Sequence, residues 1–175
     1  MTESTRPWED RSLSPDERAR LVVTAMTEDE KFSWLAGPIA LPIPGHPPLP
    51  TAALGSAAYY PAIERLGIPS IQQSDASLGV VNPGGFRAGD ESTALPSSLL
   101  LGATFDVTTA REAGQLVGRQ ARAQGFAVQL AGGANLVREA TGGRNFEYVS
   151  EDPLLTGKIV GASVAASRSR AWCPR

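Results

Sequence analysis

An apolar run too short for a helix, Phe126-Ala127-Val128-Gln129-Leu130-Ala131, follows directly on a helical segment that starts at Asp106 or Thr108 and ends at Gly125. A strand of this fully buried kind belongs in a parallel sheet whose faces are covered by helices. Ala110, Ala113, Val117 and Ala121 share one face of the preceding helix, and Gly114 and Gly118 allow close approach to a sheet. Another short strand, Ser70-Ile71-Gln72-Gln73-Ser74, lies upstream. The order strand, loop, helix, strand argues for βα units and an α/β fold.

The first 36 residues read as two helices. Ser14-Pro15-Asp16-Glu17 is a helix start with a capping residue, a proline at the first turn and a glutamate that closes a capping box. Leu21, Val22, Ala25 and Met26 then share a face. Thr27-Glu28-Asp29-Glu30 repeats the signal, with Phe32, Leu35 and Ala36 as the next apolar face and Gly37 as its end. These faces are expected to pack against the α/β region. Residues 37–62 carry Pro38, Pro42, Pro44, Pro47, Pro48 and Pro50, which predicts an irregular connection rather than a helix or central strand. His46 sits inside it and is assigned no role. The α/β region proper then spans residues 63–170.

Composition excludes several chemistries. A formal net charge of −2 with scattered basic residues leaves no footprint for nucleic acid. The single cysteine, Cys173, excludes an internal disulfide framework and a cysteine-based zinc site, and one histidine excludes a histidine-clustered metal site. No apolar run approaches the roughly 20 residues of a membrane span. Met1-Thr2-Glu3-Ser4 lacks the regions of a signal peptide, so the chain as written reads as cytoplasmic. Neither a Gly-x-Gly-x-x-Gly fingerprint nor a P-loop is present, so no nucleotide cofactor is expected. There is no Gly-x-Ser-x-Gly elbow either.

Two places concentrate chemistry. Asp75 directly follows the strand that ends at Ser74; by itself it reads first as capping a turn through its own backbone, with a ligand-binding role as the alternative. The Gly-rich loop from Gly132 to Asp152 holds Asn135, Arg138, Glu139, Arg144, Asn145, Glu147, Glu151 and Asp152. Internal Arg–carboxylate pairing is one use for such a loop, and ligand binding is the other. Asp152-Pro153 then opens a helix, with the aspartate as cap.

The run Gly142-Gly143-Arg144-Asn145-Phe146-Glu147-Tyr148, continued by Ser150-Glu151-Asp152-Pro153, resembles the GRNFE…SEDP signature of family 3 glycoside hydrolases, the family of β-glucosidases. Arg65-Leu66-Gly67-Ile68-Pro69 with Asp75-Ala76-Ser77-Leu78-Gly79-Val80 is similar to the family's RLGIP…DGPhGV element, with Ala76-Ser77 in place of Gly-Pro. Thr93-Ala94-Leu95-Pro96 resembles its TAFP phrase. Asn135 and Arg138 match N…RDP, with Glu139-Ala140 replacing Asp-Pro. Met26-Thr27-Glu28-Asp29-Glu30-Lys31 is similar to its MTLEEK opening.

The resemblance implies the N-terminal half of an incomplete (β/α)₈ TIM-type barrel, preceded by the two helices. A complete barrel needs about 200–250 residues against the 175 here. It implies that Asp75 and Arg144 bind hydroxyls of a small saccharide or β-glucoside, and that no cofactor is used. Asn135, Arg138, Glu147 and Asp152 support them, Glu147 by orienting Arg144 through a salt bridge. The family hydrolyses terminal β-linked glycosyl residues by the retaining route, which uses two closely spaced carboxyl groups.

The resemblance covers roughly residues 13 to 170 and stops before the family's Lys-His pair, its nucleophilic aspartate and its acid/base residue. No catalytic residue is therefore assigned, and the chain alone is expected to show no turnover. The alternatives are a non-catalytic sugar-binding half-domain and one half of a split barrel completed by a C-terminal half on a second chain. Cytoplasmic location applies to the chain as written and leaves periplasmic or secreted relatives open. Residues 171–175 are read as a frameshift tail: one base deleted from a coding of Gly-Val-Val-Ser-Thr yields Ala-Trp-Cys-Pro-Arg.

Overall fold

In the computed structural model of the chain, the structure describes residues 6–37, 39–41, 43–45, 47–75, 78–130 and 132–171. His46, the Ala76-Ser77 pair and the tail residues Trp172 and Cys173 lie outside the described residues. The chain forms two compact units, Met1–Pro38 with Tyr59–Ile71, and Ile39–Ala58 with Gln72–Arg175. Its main elements are α1 (Pro15–Ala25), α2 (Glu28–Ala36), β1 (Ala58–Tyr60), β2 (Ile71–Asp75), α3 (Ser98–Ala103), α4 (Val107–Ala123), β3 (Val128–Leu130) and α5 (Pro153–Ala171).

In the first unit, both capping boxes form. The Ser14 hydroxyl accepts from the Glu17 amide at 3.3 Å while the Glu17 carboxylate accepts from the Ser14 amide at 2.9 Å. Thr27 and Glu30 repeat the exchange at 3.2 and 2.8 Å. Each box satisfies two backbone donors that a helix start would otherwise leave open. The Arg65 guanidinium closes the corner between α1 and α2, donating to Glu30 and, at 2.8 Å, to the Ala25 carbonyl.

The apolar face expected on α2 is not the covered one. Phe32 and Leu35 are 64% and 82% exposed. Trp34 turns inward instead, its indole N–H donating to the Pro61 carbonyl at 3.0 Å and its ring lying 5.7 Å from that of Tyr60. With 3.6 residues per helical turn, turning position 34 inward rotates positions 32 and 35 outward, and the large ring with a polar handle is half-buried.

The second unit holds the α/β core. The sheet order is β1-β2-β3, and β2 pairs in parallel with β3, with Gln73 opposite Val128 and Asp75 opposite Leu130. The path from β2 to β3 runs through α3 and α4, as a parallel connection requires. Val80, Val117, Ala121 and Phe126 form one buried cluster, with Leu54 and Leu95 against it; Ala110, Val149 and Ile159 form another. Gln72, buried on β2, accepts from the Leu54 amide and donates to the Ala52 carbonyl, pinning the chain ahead of β1.

Four expectations change. Residues 37–62 are not wholly irregular: past the last proline of the run, Ala58–Tyr60 joins the sheet as β1. An unforeseen helix, α3, begins at Ser98 behind a Ser97 cap. Gly114 and Gly118 approach a helix rather than a sheet; a Cβ on either would strike the backbone of Ser163 or Ser167 on α5. Finally, β3 is not a fully buried strand: Val128 and Leu130 are 36% and 46% exposed. As the last strand of the described sheet it has a neighbour on one side only.

Candidate functional site

The register of β2 and β3 brings their carboxyl ends level at Asp75 and Leu130. In open α/β sheets this end is where ligands collect, because the loops leaving parallel strands converge there. An open cleft of about 770 Å³ lies at this point, and Asp75, Asn135, Arg144, Phe146, Glu147 and Tyr148 are among the residues that line it.

The backbone of Asp75 is held at both ends. Its N–H donates to the Ser56 hydroxyl at 3.1 Å, and its carbonyl accepts from the Val81 amide, also at 3.1 Å. Ser56 is 1% exposed, whereas Asp75 itself is exposed in the cleft. Gly79, at φ +127°, lets the following segment pass against the Thr93 carbonyl, where a Cβ would clash. The Leu95 amide then donates to the Leu78 carbonyl at 2.8 Å, so the Thr93-Ala94-Leu95-Pro96 phrase lies beside the Asp75 loop.

The loop after β3 is tied to itself. Gly133 bridges Tyr148, and a Cβ at Gly133 would strike the Glu147 carbonyl, so a glycine is required. The Asn145 amide group donates to the Glu139 carbonyl at 2.7 Å. In the short 3₁₀ turn Asn145–Glu147 the Arg144 guanidinium grips Glu147 with both prongs, Nε to Oε1 at 3.0 Å and Nη2 to Oε2 at 2.6 Å. The hydrogen bond to Glu147 is the main cause that raises the Arg144 pKa, with lesser contributions from the charges of Glu147, Tyr148 and Asp75. The same bond lowers the Glu147 pKa. Glu147 is mostly covered, while the Arg144 side chain is 71% exposed, so the pair leaves guanidinium donors facing the cleft.

Of the residues singled out in the sequence, the cleft thus gathers Asp75, Asn135, Arg144 and Glu147. Arg138 is exposed and is not among the lining residues. Asp152 stands at the start of α5, its carboxylate accepting from the Leu154 amide at 2.7 Å, the cap that Asp-Pro foretold. Phe146 and Tyr148 line the cleft but were not singled out, since an aromatic in a loop carries no positional signal of its own. Ser56 was missed as well, because its role depends on a contact between distant segments.

Among the described residues, no group of three metal-ligating side chains comes together, and no helix is long and apolar enough to cross a membrane. What the cleft offers is an exposed carboxylate, an oriented guanidinium, an asparagine and two aromatic rings. That set of donors, acceptors and apolar faces suits a neutral polyhydroxylated ligand.

Comparison with known proteins gives the family. Residues 54–171 match the glycosyl hydrolase family 3 N-terminal domain. A β-glucosidase of Rhizobium radiobacter is 39% identical over 109 residues, covering 62% of this chain and 13% of that protein. β-Glucosidase B of Emericella nidulans is 33% identical over 138 residues, 79% of this chain and 14% of that one. Among solved structures, a β-glucosidase from Streptomyces venezuelae in complex with D-glucose superposes with a TM-score of 0.72 at 33% identity, over 87% of this chain and 18% of that one. β-Glucosidase 3B from Thermotoga neapolitana, with α-D-glucose, gives 0.73 at 30% identity, over 87% and 22%. The chain therefore belongs to glycosyl hydrolase family 3. It spans about an eighth of the length of the curated relatives it matches.

Proposed function

We propose that this chain carries the sugar-binding part of a β-glucosidase-type site. Asp75 accepts from hydroxyls of a terminal glucosyl residue, and Arg144, oriented by Glu147, donates to them. Asn135 contributes a further polar group, and the cleft aromatics offer an apolar face for the sugar ring. The observation that supports this best is the convergence of Asp75 and Arg144, some seventy residues apart in sequence, in one cleft at the carboxyl end of the sheet.

Hydrolysis of a β-glucoside is then a property of the complete protein. The retaining mechanism needs two free carboxyl groups about 5–5.5 Å apart, and of the two cleft carboxylates Glu147 is engaged by Arg144. The α/β unit is read as the first part of a (β/α)₈ barrel, with 63–170 as its span. The test is to incubate the chain with an aryl β-glucoside, then to titrate it with glucose. Saturable binding without release of the aryl group agrees with the proposal; neither binding nor turnover contradicts it.

A second reading, half of a split barrel completed by another chain, is favoured by the exposed β3 edge. Beside it runs an apolar groove of about 960 Å³ lined from α3, α4, α5 and β3. Co-expression with the C-terminal remainder of a family 3 barrel tests it, since a stable complex that gains β-glucosidase activity is the expected result.

A further inference from the structure

We infer that Arg87 is the positioning residue for Asp75. The inference rests on the reading of Asp75 as a sugar ligand and adds the device that aims it. Arg87 is 9% exposed, although it lies in a loop between Asn82 and Asp90. A buried guanidinium must find partners for its fixed fork of donors. Arg87 finds three. Nε donates to Asp90 at 2.5 Å, Nη1 to the Gly55 carbonyl at 2.5 Å, and Nη2 to the Val81 carbonyl at 2.8 Å. The guanidinium lies 4.9 Å from the centroid of the Phe126 ring, which fixes its plane.

The two carbonyls are not arbitrary. Gly55 precedes Ser56, whose hydroxyl takes the Asp75 N–H, and Val81 is the residue whose own N–H holds the Asp75 carbonyl. One cation thereby grips both segments that grip Asp75, one at its N–H and the other at its carbonyl. A backbone so held restricts where the Asp75 carboxylate can point. Lysine carries the same charge but has no planar fork to span Gly55, Val81 and Asp90 together.

The test uses the full chain, isotopically labelled, with Arg87→Lys. The expected result is a folded variant whose Asp75 and Val81 amides exchange with solvent at least tenfold faster, and whose glucose affinity falls roughly tenfold, the size of one misdirected charge-assisted hydrogen bond. Gly118→Ala, placed in the α4–α5 contact, serves as the stability control: it lowers Tm while leaving the Asp75 amide signal and glucose affinity unchanged. A merely structural Arg87 would behave as that control does, and this overturns the inference. If the wild-type chain does not bind glucose, the sugar reading fails, yet the amide exchange at Asp75 and Val81 still decides the role of Arg87. Should Arg87→Lys not fold, the wild-type guanidinium decides. Two resolved Nη resonances, from slow rotation, are expected; a single averaged one overturns the inference.

Discussion

Glu147 holds Arg144 with both carboxylate oxygens, three residues away across a single 3₁₀ turn. Such fork-to-fork pairing fixes the plane as well as the position of the guanidinium. A pair whose guanidinium is open to solvent contributes little to stability, so this one is placed to orient rather than to hold the fold. Glu147→Gln is expected to weaken glucose binding about tenfold, the loss of one good polar contact, with little change in Tm. Calorimetric titration beside a thermal melt separates the two effects.

The pair also sets a pH dependence. The hydrogen bond from Arg144 lowers the folded-state pKa of Glu147 below the ordinary value of a glutamate. A carboxylate so shifted contributes stability that is present above the unfolded value and is lost as pH falls through the depressed folded one. Loop order and sugar binding should therefore be flat through neutrality and fail only in acid. Following the Glu147 carboxyl carbon by NMR should give a midpoint below that of an unperturbed glutamate; one at or above it contradicts the pairing.

Asp75 is expected to matter for ligand and not for fold. Its backbone is clamped by Ser56 and Val81, contacts that a side-chain change leaves in place. Asp75→Asn should keep the wild-type Tm and reduce glucose affinity by about tenfold or more, since it removes a charged acceptor. Equal affinity in the variant would remove Asp75 from the site.

The α4–α5 contact makes a prediction about stability alone. Alanine is the better helix former by about 1 kcal/mol, yet a Cβ at Gly114 would collide with the Ser163 carbonyl. Overpacking of this kind costs about 1–3 kcal/mol. Gly114→Ala should therefore lower the midpoint of urea unfolding, and a gain in stability would refute the close approach.

Local signals were the legible ones. Helix starts at Ser14, Thr27, Asp106 and Asp152 depend on residues within three positions, and the structure forms them as read. Resemblance of the run over residues 142–153 and the Asp75 element pointed to the family, and the cleft brings Asp75, Asn135, Arg144 and Glu147 together. What escaped depends on distant partners. Trp34 rather than Phe32 faces inward because Tyr60 and Pro61 are there to receive it. Gly114 and Gly118 met α5 instead of the sheet, and Ser56 and Arg87 gained their roles only when residues 55, 75, 81 and 126 converged.

The central claim is that the cleft at the ends of β2 and β3 binds a glucosyl unit. Its most direct test is a glucose titration of the labelled chain, read at the amides of Asp75, Gly133 and Arg144, in the wild type and in Asp75→Asn. The account predicts saturable shifts at these three positions that Asp75→Asn strongly weakens. Shifts that are absent, or that persist undiminished in the variant, would contradict it.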